Sequence, residues 1–141
     1  MAKHVRDAMS ADPRHAVPEL SLTEAARIMK DEDVGSLPVV DTDGRLIGII
    51  TDRDIVIRAV AEQVDPQSVH VGDVASRSPV TAAPEDDLDD ALSAMAASQV
   101  RRLPVVEEGR LVGMLAQADV ATEAQAGKVG ATVEAISQRD G

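Results

Sequence analysis

With 141 residues, 44% of them apolar, the chain is long enough for one compact domain or for two half-sized units that share a core. The absence of cysteine removes disulfides, thiolate nucleophiles and cysteine metal sites. A formal charge of -11, with no Phe, Trp or Tyr to stack bases, argues against a nucleic-acid partner. No apolar run approaches a membrane span. The basic residues near Met1 have no apolar segment behind them, so no secretory signal is expected and a cytoplasmic location is.

Along the chain, Val5-x-Asp7 opens a short lead-in, and an extended piece ends at Pro18, whose ring favours extended geometry in the residue before it. Ser21-x-x-Glu24 has the form of a capping box, and Leu22, Ala25, Ala26, Ile28 and Met29 recur behind it at helical spacing. Two runs rich in β-branched residues, Leu37 to Val40 and Leu46 to Thr51, flank Asp41-Thr42-Asp43-Gly44, which is hairpin punctuation. A second helix is predicted from Asp52, presenting Ile55, Val56, Ala59 and Val60. A polar stretch through Asp65-Pro66-Gln67-Ser68 follows.

The same order is then written again. Val71-x-Asp73, Pro84-Glu85, Leu88-x-x-Ala91, Met95 and Leu103-Pro104-Val105-Val106 match Val5-x-Asp7, Pro18-Glu19, Leu22-x-x-Ala25, Met29 and Leu37-Pro38-Val39-Val40. Gly109-Arg110-Leu111-Val112-Gly113 matches Gly44-Arg45-Leu46-Ile47-Gly48 after loss of one turn residue. Asp87-x-x-Asp90 repeats the capping box, and the acid run around it suits a helix N-terminus better than a metal site. The chain thus divides into repeat one (5–63), a linker (64–70), repeat two (71–126) and a tail (127–141) in which Val129, Val133 and Ile136 predict a short amphipathic helix. The fold class is α/β (α+β), two β-α-β-β-α repeats, neither able to bury its own faces alone.

Leu37-Pro38-Val39-Val40 followed by Gly48-Ile49-Ile50-Thr51-Asp52-Arg53-Asp54 resembles the signature of a cystathionine-β-synthase (CBS) repeat, and two in tandem resemble the Bateman module over nearly the whole chain. Thr51 to Ile57, Asp65-Pro66 and Gln99-Val100-Arg101-Arg102 further resemble the small hypoxic-response CBS proteins of actinobacteria. This resemblance implies repeats packed about a pseudo-twofold axis, a homodimer formed through helices, and a cleft between repeats for AMP, ADP, ATP or S-adenosylmethionine. It also implies that Thr51 and Asp54 hold a ribose and that Arg101 and Arg102 contact phosphate. In repeat two the pattern reads Gly113-Met114-Leu115-Ala116-Gln117-Ala118-Asp119, which keeps the carboxylate of Asp119 but loses the hydroxyl, so asymmetric binding is expected. His15, on the extended segment, is a further candidate contact.

Plainer readings stand beside these. Thr51-x-x-Asp54 could serve only as a helix cap, worth about 1 kcal/mol. Adjacent arginines on a strand point to opposite faces, so at least one of the pair is solvated. His4 and His70, at equivalent positions, read as surface histidines rather than a zinc pair, and no metal site is expected. The chain lacks a His-Glu-x-x-His pair, a nucleophile elbow, a Walker loop and a dinucleotide fingerprint, so it is read as a non-enzyme. The sensor reading, with an unknown protein partner, competes with a ligand-free structural or stress-associated interaction module, which Ala116 favours.

Overall fold

The computed structural model describes residues 4–120. A 3-10 turn at Val5–Asp7 leads into β1 (Ser10–Ala11). At Ser21 the predicted box forms: its Oγ accepts from Glu24 N at 3.1 Å, and Glu24 Oε1 accepts from Ser21 N at 3.2 Å. Two otherwise orphaned N–H groups are thereby satisfied at the start of α1 (Leu22–Glu32). The helix buries Leu22, Ala25 and Met29 and ends at Asp33, which takes the left-handed conformation at φ 56°.

β2 (Ser36–Val40) and β3 (Leu46–Thr51) pair antiparallel, with Leu37 opposite Ile50 and Val39 opposite Gly48. Their turn is tied by Asp41 Oδ1, which accepts from Asp43 N at 2.8 Å and Arg45 N at 3.0 Å, while Gly44 supplies a φ of +82°. α2 (Asp52–Ile55) continues as a wider turn, Val56–Val60, where Ala61 N donates five residues back to Val56 O at 2.9 Å.

α3 (Val71–Val74), α4 (Leu88–Ser98), β4 (Arg102–Glu107) and β5 (Arg110–Ala116) complete the second copy, followed by helical residues 117–120. α4 buries Leu88, Ala91 and Met95, the counterparts of the three buried α1 residues. Its cap is simpler than predicted. Asp87 Oδ1 accepts from Asp89 N at 2.8 Å, and Asp90 makes no reciprocal bond. The end of the second repeat and the predicted tail helix at 127–141 lie outside the described residues. No helix among the described residues is long and apolar enough to cross a membrane.

The folding units are offset from the sequence repeats. One unit holds residues 14–79 with 109–111; the other holds residues 4–13, 80–108 and 112–120. Val5, the first residue of repeat one, donates to Asp86 O at 2.9 Å and buries its side chain completely among Leu88, Met95, Leu103, Val105 and Leu115. Val71, the first residue of repeat two, does the converse. It donates to Leu20 O at 2.8 Å and is fully buried among Leu22, Met29, Leu37, Val39 and Ile50.

Sheet edges follow the same exchange. In the first unit Ala16 runs parallel to β2 through Val39, and Ile49 of β3 exchanges two hydrogen bonds of 2.9 Å with Ser76. In the second, Ala82 runs parallel to β4 through Val105, and β5 pairs with β1 in the register Ser10 opposite Met114. One edge of each sheet is therefore lent by the other repeat, Ser76 beside β3 and β1 beside β5, while the opposite edge, at Ala16 or Ala82, comes from the same repeat.

Candidate functional site

Thr51 ends β3 and caps α2. Its N–H donates to Asp54 Oδ2 at 2.9 Å, and Asp54 N donates to Thr51 Oγ1 at 3.0 Å. Both residues are half-buried. The cap engages one carboxylate oxygen and uses the hydroxyl only as an acceptor. Among the described residues Asp54 Oδ1 and the Thr51 hydroxyl proton take no further partner. Capping and ligand contact are therefore compatible, because a carboxylate with an open oxygen can still accept from paired hydroxyls.

The corresponding turn of the second unit lacks the hydroxyl at Ala116. Gln117 N donates to Arg101 O at 2.8 Å, as Asp52 N donates to Gly35 O at 2.9 Å, so the backbone path is kept while the side-chain cap is lost. Asp119 is half-buried there. Arg101, in the bend before β4, is exposed, and Arg102, opening β4, is half-buried. His15 is exposed beside Ala16. Thr51, Asp54 and His15 thus belong to one unit, and Arg101, Arg102 and Asp119 to the other.

His4 and His70 each stand beside their own carboxylate, Asp7 at 3.8 Å and Asp73 at 3.9 Å. No group of three His, Cys, Asp or Glu able to hold a metal ion occurs among the described residues.

The first unit also contains a cavity of about 530 Å³ that the sequence reading missed. Its apolar lining comes from Pro18, Val39, Leu46, Ile47 and Pro79. Two glycines allow its walls to approach: a Cβ on Gly48 would lie 2.6 Å from Ser76 O, and one on Gly72 would lie 2.9 Å from Pro18 Cβ. Arg77 is the one ionisable group in the lining, with the Ser78 hydroxyl beside it in sequence. Thr51 and Asp54 do not line this space. Thr51 lies three residues past Gly48 on β3, about 10 Å at strand rise. Ser76-Arg77-Ser78-Pro79 reads as plain loop in sequence, and only the pairing of Ser76 with Ile49 brings it to the sheet.

Two stretches, residues 5–60 and 71–125, match the CBS domain. Hypoxic response protein 1 of Mycobacterium tuberculosis is 40% identical over 116 residues, which cover 82% of this chain and 81% of that protein. The crystal structure of that hypoxic response protein with two coordinated zinc ions is similar at a TM-score of 0.78 and 38% identity, covering 84% of this chain and 97% of that one. CBSX2, from Arabidopsis thaliana, in complex with AMP gives a TM-score of 0.79 at 27% identity over 90% and 99% of the two chains. The CBS-domain pair of MJ0100, in complex with 5-methylthioadenosine and S-adenosyl-L-methionine, gives 0.75 at 30% identity over 89% and 97%. Two matched domains, in the order of the internal duplication and with the α+β repeats seen in these structures, establish that this chain belongs to the CBS-domain family as a tandem CBS pair.

Proposed function

We propose that this protein is a stand-alone CBS-pair sensor. It binds an adenine nucleotide or an S-adenosyl compound and passes occupancy to a protein partner as a change in its own packing. In this reading Thr51 and Asp54 receive the ribose, Arg101 and Arg102 are the cations assigned to phosphate, and His15 and Asp119 are lesser contacts. The observation that carries it is the open Asp54 Oδ1 in a cap otherwise complete. CBSX2 with AMP, and the MJ0100 pair with methylthioadenosine and S-adenosylmethionine, supply the ligand class. The protein works without catalysis of its own, in the cytoplasm, as a homodimer. The rival reading, a ligand-free interaction module, draws on the missing hydroxyl at Ala116.

Calorimetric titration with AMP, ADP, ATP and S-adenosylmethionine separates the two. At least one is expected to bind, and Asp54→Asn, which keeps an acceptor for Thr51 N but removes the charge, should weaken it by about tenfold or more. Absence of heat with all four ligands leaves the interaction module.

A further inference from the structure

The cavity of the first unit stands apart from the Thr51–Asp54 cap and has its own chemistry. Its volume, about 530 Å³, falls in the range that takes small organic ligands. Most of the surface it offers is hydrocarbon, from side chains such as Leu46, Ile47 and Pro79. Against that lining stands a single guanidinium. Arg77 enters no ion pair among the described residues, in a chain whose formal charge is -11 and whose Arg6 and Arg14 are paired with Glu85 and Glu32. A guanidinium presents a planar fork that fits the oxygens of carboxylate, phosphate or sulfonate, and the neighbouring Ser78 hydroxyl can donate alongside it.

The recess is also held open by its backbone. Gly48 of β3 lies against the Ser76 carbonyl and Gly72 of α3 against Pro18, so closely that neither position accepts a side chain without displacing its neighbour. The half-buried Ala75 in the lining has only a methyl group to project into it.

We propose that this cavity is a second binding site, for a small organic anion with an apolar body and one negatively charged head, and that Arg77 supplies the counter-charge. The class is defined by shape and charge. The apolar walls take the body, while Arg77 discriminates against the same body without its charge. None of the nucleotide contacts assigned above is among its lining residues, and the proposal does not depend on them.

Two fluorescent probes isolate the charge, and a chain without aromatic residues contributes no competing signal. Anilinonaphthalene sulfonate and N-phenyl-1-naphthylamine share the apolar body, but only the first carries an anion. The intact protein is expected to bind the sulfonate about tenfold more tightly than the neutral amine. Arg77→Gln should remove that preference while leaving the amine unchanged, and Ala75→Leu should weaken both by filling the recess. Arg53→Gln, on an exposed arginine outside the lining, should alter neither. Far-ultraviolet spectra and melting curves of each variant report folding. Equal loss of both probes in Arg77→Gln, unchanged binding in Ala75→Leu, or no preference for the anion in the intact protein overturns the proposal.

Discussion

Gly48 and Gly113 hold the same position in the two repeats, yet their neighbours differ in ways no sequence pattern carries. A Cβ at Gly48 meets a backbone carbonyl, Ser76 O, at 2.6 Å, whereas at Gly113 the nearest atom is Met9 Sδ at 2.7 Å, with Ser10 O at 3.0 Å. A thioether side chain can swing aside; a carbonyl held by the Ile49–Ser76 pairing cannot. Gly48→Ala should therefore cost about 1–3 kcal/mol and Gly113→Ala less, read from urea unfolding followed by far-ultraviolet circular dichroism. Caps were more legible than these contacts, since Ser21 with Glu24 and Thr51 with Asp54 complete their bonds within four residues. Asp87 shows the limit of that legibility: its carboxylate accepts from Asp89 N rather than from Asp90 N, and Asp90 returns no bond, although the same residue type closes the box at Asp54.

Among the elements, the helix after β3 departs most from its expected face. Apolar spacing assigned Ile55, Val56, Ala59 and Val60 to the interior, but only Ala59 is buried, while Val56 and Val60 are 53% and 69% exposed. The physical reason is the widened turn. Bonds from Ala61 N to Val56 O and from Val64 N to Ala59 O reach back five residues, so the stripe no longer follows a 3.6-residue period. Val56, Ile57 and Val60 are left as an apolar face in a chain otherwise rich in charge. The homodimer proposed above would cover it. Sedimentation of Val60→Glu should accordingly show monomer where the parent protein sediments as a dimer, with the helical signal unchanged. Dimers that persist in this variant would place the interface elsewhere.

At the level of the whole molecule, the exchange of lead-ins makes each folding unit a product of both repeats. Complete burial of Val5 and Val71 contributes about 2 kcal/mol apiece, each to the core built from the helix and hairpin of the other repeat. Hydrogen exchange can read this directly. Val5→Ala should raise exchange across residues 88–116, and Val71→Ala across residues 22–51. The opposite assignment would follow if each lead-in packed on its own repeat. Neither repeat, cut at its sequence boundary, would retain the strand that finishes its sheet.

The amino-acid sequence alone determined the duplication, the β-α-β-β-α order, the hairpins and the start of α1. These follow from hydrophobic period, turn residues and capping spacings, all of which act within a few residues. Tertiary structure decided which lead-in joins which core, which face of the helix after β3 stays bare, and that Arg77 lines a cavity. Val5-x-Asp7 and Val71-x-Asp73 are chemically alike and face two cores of nearly identical lining, so local preference cannot choose between them. The path of the chain and the packing of each valine make that choice.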